Sequence, residues 1–158
     1  MTLRGSVLRV ALLVVATLLP ASLLTSPAVS APTPEATYAS QARKATNAER
    51  TSRHLARLSK STCLQRFAVA QAARLAAARD HSLPHQPLGP ILRACDLRAV
   101  GENLAYGYPD GNAVVRGWMN SPGHRANILN GGYRQMGLAA RKGGDNLWYV
   151  AQVFGRPR

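Results

Sequence analysis

Three residues of this 158-residue chain could share chemistry: His85, Glu102 and His124. Each lies in a segment rich in turn or cap signals. A neutral imidazole binds a metal or accepts a hydrogen bond, and a carboxylate among apolar neighbours needs a partner. Glu102 has such neighbours, in Val100-Gly101-Glu102-Asn103-Leu104-Ala105-Tyr106-Gly107-Tyr108. His124 belongs to Trp118-Met119-Asn120-Ser121-Pro122-Gly123-His124-Arg125-Ala126-Asn127-Ile128-Leu129. There Ser121 reads as a helix N-cap and Pro122 as the first helical residue. His124 then falls in the first turn, where the positive helix end disfavours an imidazolium. His85 shares a loop with His81, broken by Pro84, Pro87, Gly89 and Pro90. Spacing alone leaves three readings open: separate surface residues, a hydrogen-bonded structural triad, or one shared site.

Other constellations are missing or weak. The chain holds no Gly-x-Ser-x-Gly elbow, phosphate loop, Cys-x-x-Cys pair or His-Glu-x-x-His. Ser121 and His124 lie three apart, but a serine committed to an N-cap is a poor nucleophile candidate. Glycosidase chemistry needs two carboxylates, and Glu102 has only scattered aspartates for company.

The elements that must position these residues follow from pattern. Residues 31–37 read as a short linker. Tyr38 to Ser59 is free of Gly and Pro and predicts a helix with one exposed face. Thr62-x-x-Gln65 has a capping-box pattern, and apolar spacing carries a second, well-buried helix through Arg79. Ile91 to Leu97 predicts a helical turn that brings Cys95 near Cys63. Val100 to Tyr108 predicts a short strand or extended loop, Pro109 to Asn112 a turn, and Ala113 to Met119 a short helix. The Ser121-Pro122 helix ends at Asn130-Gly131-Gly132. Met136–Arg141, a turn at Lys142–Asn146 and Leu147–Phe154 predict a hairpin, and the last strand, apolar on both faces, should be central. Helices first, then helices mixed with an antiparallel hairpin, predict an α+β fold.

Composition sets the setting. Arg4 and Arg9 flank the apolar run Val10–Leu19, and small residues lead to Ser30-Ala31, so residues 1–30 read as a secretory signal peptide. No second apolar run follows, so no transmembrane segment is expected after cleavage, and a secreted, extracellular monomer is. Two cysteines in an exported chain predict a Cys63–Cys95 disulfide. Past residue 30 the chain carries 18 Lys and Arg against 7 Asp and Glu, a net charge of +11. The cations are scattered rather than in runs. Export argues against nucleic acid as a partner; a lipid surface or an anionic cell-envelope polymer fits better, and a merely solvated basic surface better still.

The motifs then gain a context. Gly101-Glu102-Asn103-Leu104, Trp118-x-x-Ser121-Pro122-Gly123-His124-Arg125-x-Asn127-Ile128-Leu129, Gly137, and Tyr149-x-x-Gln152-x-Phe154-Gly155 occur in an order that resembles the bacterial branch of the CAP superfamily. These are the SCP-like proteins, related to cysteine-rich secretory proteins, antigen 5 and pathogenesis-related 1 proteins. The resemblance places the CAP domain at 38–156 and implies an α-β-α sandwich with a central antiparallel sheet between helical layers. It also implies a cleft lined by His85, Glu102 and His124, with His81 as the alternative first histidine. In some members this cleft binds zinc or another divalent cation, which here would fall to His85 and His124. Ser121 stands where eukaryotic members carry a second glutamate, which weakens any metal or hydrolytic role. The expected function is a non-enzymatic binding module for a small ligand, lipid or cell-envelope component. The alternative is a divalent-metal-dependent hydrolase of peptide or cell-wall substrate, with Glu102 as the candidate catalytic residue.

Overall fold

The protein is described by a computed structural model over residues 31–79 and 81–158. The expected signal peptide, residues 1–30, lies outside the described residues. Helix α1 spans Pro34–Thr51 and so begins inside the stretch expected to be a linker. Its start is chemically complete. Thr33 caps it through Oγ1, which accepts from the Ala36 N–H at 3.2 Å, Pro34 occupies the first turn, and Glu35 faces the positive helix end. The helix also stops eight residues before the expected Ser59. Asn47 explains this, because its side chain grips the returning chain at the N–H of Leu58 (2.8 Å) and at its carbonyl (3.1 Å). His54 takes the left-handed turn that reverses the chain, with φ 58°.

A two-residue strand β1 (Ser59–Lys60), too short for any periodic signal, precedes α2 (Thr62–Ala78). Ser61, not Thr62, caps α2, its Oγ accepting from Leu64 N–H at 3.3 Å. Gln65 is thereby free to bind β3 in both directions, at Leu138 O (2.9 Å) and Leu138 N (3.1 Å). Next come α3 (Leu88–Ala94), β2 (Leu97–Tyr106), α4 (Gly111–Met119), α5 (Pro122–Ile128), β3 (Gln135–Lys142) and β4 (Trp148–Pro157). The Cys63–Cys95 disulfide forms as expected and ties the first turn of α2 to the end of α3.

The sheet order is β1-β3-β4-β2. The three long strands are antiparallel, with β4 between β3 and β2, and only short β1 pairs in parallel. Period-two alternation along the strands sorts side chains to the two faces. Met136, Leu138, Val150 and Phe154 meet α1, α4 and α5 through Ala42, Val114, Trp118 and Ile128. Ala139, Tyr149, Ala151 and Val153 meet α2 and α3 through Leu64, Ala68, Leu75 and Ile91. The result is the α-β-α sandwich, helices on both faces of one sheet.

Edge strand β2 has two of its carbonyls covered by side chains. Glu102 O accepts from Asn127 Nδ2 at 3.1 Å and Leu104 O from Trp118 Nε1 at 3.1 Å. These bonds satisfy edge carbonyls that would otherwise be open to another chain. They also fix α4 and α5 along β2.

Candidate functional site

Strand β2 runs three residues earlier than the expected extended segment, and its alternation decides where the site residues go. Glu102 and Leu104 project to the α2–α3 side, and Asn103 and Ala105 to the α1–α4–α5 side. Glu102 is almost wholly enclosed, its side chain 1% exposed. Its Oε2 lies 2.7 Å from His85 Nδ1 and 3.4 Å from the Gln86 backbone N–H, and its Oε1 accepts from Gln86 Nε2 at 2.6 Å. Both carboxylate oxygens are therefore engaged. The His85 ring is largely open to solvent on its other side, at 59%. Gln86 is a site residue that the sequence reading missed. Its only signal was its place beside His85 between Pro84 and Pro87.

Asn103 builds the opposite face. It is fully buried, and its Nδ2 donates to His124 O at 3.1 Å and to Gln152 Oε1 at 3.4 Å. Its Oδ1 accepts from Asn127 Nδ2 at 2.9 Å. Gln152 in turn donates to Thr46 Oγ1 on α1 at 2.9 Å. One polar chain therefore links α1, β4, β2 and α5, and it sets the position of the helix that carries His124.

Ser121 takes the backbone position of an N-cap, but its side chain makes no capping bond. Its hydroxyl lies 3.0 Å from His124 Nδ1 instead. This corrects the expectation that the hydroxyl is committed to the backbone. The physical reason lies within the cap. The His124 ring, one turn on, supplies the hydroxyl with a side-chain partner in place of the backbone. The His124 ring also packs at a tilt on Trp118, with centroids 6.5 Å apart. Its pKa falls below the ordinary histidine value, first because burial penalises the charged ring and second because His85 lies within electrostatic reach. The imidazole is therefore held neutral near pH 7.

His124 and Ser121 form one end of an open groove of about 490 Å³. Tyr106, Tyr108 and Trp118 wall it, and Leu83 closes it from the loop before His85. Gly107, at φ 80°, turns the chain so that both tyrosines face it, and the Tyr108 ring lies directly on Gly117, where a Cβ would collide with it. His85 lies outside this groove. It lines a separate concavity with Gln71, Arg74, Pro84, Gln86 and Pro87. His85 is thus joined to Glu102, while His124 stands near the pair in a groove that takes lining from both sides of β2, Leu104 and Tyr106 from one and Ala105 from the other.

His81, the alternative first histidine, is placed elsewhere. It stacks on Tyr106 at 4.2 Å, and its Nε2 lies 3.6 Å from Asp145. Asp145 also accepts from Tyr149 OH at 2.6 Å. That bond comes first among the causes holding the Asp145 carboxyl below its usual range.

The donor set bears on a divalent ion. Among the described residues no three His, Cys, Asp or Glu side chains are grouped to hold a metal. Both Glu102 oxygens already accept hydrogen bonds, from His85 and Gln86, and the ring atoms left without a partner are the two imidazole Nε2. That falls short of the three protein ligands of a catalytic zinc, and no step through a metal follows from it.

Known proteins agree with this architecture. The model of the cysteine-rich secretory protein (CAP) family matches residues 43–154. The uncharacterized protein YkwD of Bacillus subtilis (strain 168) is 31% identical over 130 residues, covering 79% of this chain and 50% of that protein. An extracellular protein containing a SCP domain from Bacillus anthracis superposes with TM-score 0.65 at 27% identity, covering 81% of this chain and 45% of that one. An outer surface protein from Borrelia burgdorferi does so with TM-score 0.64 at 25% identity, covering 73% and 90%. The chain thus spans about half the length of the first two relatives. With the family's span running from the middle of α1 to the end of the β4 core, and its fold reproduced in these structures, the chain belongs to the cysteine-rich secretory protein (CAP) family.

Proposed function

We propose that the protein is a secreted binding module whose aromatic groove takes a small amphipathic ligand, a lipid or a fragment of the cell envelope. The observation that carries this reading is the groove lining. Tyr106, Tyr108, Trp118 and Leu83 offer apolar surface, and the neutral Ser121–His124 pair supplies one polar end. Concave, mostly apolar sites with a few placed polar groups are the usual form of ligand pockets. Glu102 is not part of that lining, which holds no carboxylate, so the groove favours holding a ligand over transforming one. Two structural relatives, an extracellular protein and an outer surface protein, support export, as does the signal-like sequence of residues 1–30. No helix among the described residues is long and apolar enough to cross a membrane.

The test is retention of the protein on phosphatidylglycerol vesicles and on isolated cell-wall material, beside a Tyr108→Ala variant that removes one wall. Retention that drops at least about fivefold in the variant supports the groove, as loss of an aromatic anchor should. Equal retention of both proteins, or none by either, sinks the reading.

A further inference from the structure

The turn between α4 and α5 has a second concave side. Trp118, Ser121 and His124 face the aromatic groove, whereas Met119, Asn120 and Arg125 line a separate cavity of about 400 Å³. Its other walls are Glu49 and Arg53 at the end of α1 and Arg116 in the last turn of α4. Three guanidiniums and one carboxylate give this lining a net charge of +2. Only Arg53 has the carboxylate, with Nη1 2.6 Å from Glu49 Oε2. Arg125 makes one long bond to Met119 O at 3.3 Å. Arg116 pairs with no carboxylate among the described residues, although Arg158 and Asp96 do pair elsewhere.

Cations at helix C-termini have an ordinary use, because they offset the negative helix end. That accounts for Arg116 on α4 and for Arg53 just beyond α1. It accounts equally for Arg125, in the last turn of α5, but not for the way all three side chains line one concavity with a single carboxylate. Guanidiniums are planar forks that match tetrahedral oxyanions, and Asn120 adds an amide donor.

We propose that Arg53, Arg116 and Arg125 form a pocket for a phosphate group, with Glu49 holding Arg53 in place until the ligand arrives. The site is separate from the aromatic groove and does not depend on it. Phosphate chemistry could come from a free phosphate or from the phosphodiester chain of an anionic surface polymer. On a protein of this charge, a chain ligand would also meet other cations along the surface.

The experiment is titration of the protein with inorganic phosphate and, in a second arm, with poly(glycerol phosphate), followed by calorimetry. The Arg116→Gln/Arg125→Gln double variant should weaken binding at least about tenfold in whichever arm binds. All three cations are exposed, so the variants should fold, and an unchanged melting curve checks this. A Lys60→Gln/Arg141→Gln variant removes the same charge from exposed sites elsewhere and should bind like the unmodified protein. Arg116→Lys/Arg125→Lys keeps the charge but loses the forks and should fall between. Glu49→Gln should tighten binding by freeing Arg53. Binding in the inorganic arm alone identifies a free phosphate as the ligand, and binding far tighter in the polymer arm identifies the chain. Equal losses in the Gln/Gln variant and in the Lys60/Arg141 control overturn the pocket, as does failure of the unmodified protein to bind in either arm.

Discussion

Glu102 and Asn103 are neighbours on one strand, yet they serve opposite faces of the sheet. Glu102 draws an exposed loop down onto the α2–α3 side, where His85 and Gln86 cover it. Asn103 draws α5 onto the other side and sets His124 at the mouth of the groove. A buried carboxylate needs donors, so the first face is organised by charge. The second is organised by neutral amides and a ring kept uncharged by burial. The two-residue period of β2 therefore decides which strand residue each histidine is tied to, Glu102 for His85 and Asn103 for His124. His85 anchors a loop, whereas His124 lines the aromatic groove.

That contrast can be broken from either side. The largest effect should come from Trp118→Ala, which removes a fully buried ring and the donor to Leu104 O. A loss of roughly 3–5 kcal/mol in denaturant unfolding is expected, together with a rise of the His124 titration midpoint toward the ordinary value as the ring gains water. Asn103→Ala should cost less, about 1–3 kcal/mol, because His124 O and Asn127 lose a buried partner. Its signature is selectivity: the NMR signals of His124 should move while those of His85 stay. Glu102→Gln should do the reverse at about 1–2 kcal/mol, since an amide still offers Gln86 an acceptor. If either variant moves both histidines equally, β2 does not separate the two faces.

How much of this the sequence disclosed depends on the kind of signal. The start of α5 was legible because Ser121-Pro122 is a local cap, and the central place of β4 because it is apolar on both faces. The disulfide followed from cysteine count and compartment. The start of α1 was misjudged because Pro32 and Pro34 read as linker punctuation, although Thr33-Pro34-Glu35 is also a sound helix start. The split between Glu102 and Asn103 was hidden for a different reason. Alternation assigns faces only once a segment is known to be a strand, and Val100–Tyr108 had no clear period. Gln86 and the Ser121–His124 bond were out of reach because side-chain partners depend on where loops and caps come to rest in the fold.

The lowered pKa of His124 also gives stability a direction with pH. In the unfolded chain this ring binds a proton near the ordinary value of about 6.5, and in the folded protein it does so only at lower pH. Between those two values the unfolded state holds more protons, so folding stability rises with pH across that window. The contribution is fully present above about pH 6.5 and is lost as pH falls through the folded value. His124→Gln should flatten this part of the stability curve, a smaller change than any of the substitutions above.

The most direct test of the two-face account is a proton–nitrogen NMR titration of the histidine side chains across pH 4 to 9. The account predicts that His124 titrates below the ordinary histidine value. It also predicts that Glu102→Gln leaves that midpoint low, because burial is the first cause of the shift. A His124 midpoint at or above the ordinary value, or one restored to it by Glu102→Gln, would contradict the claim that His124 is the neutral, groove-facing histidine.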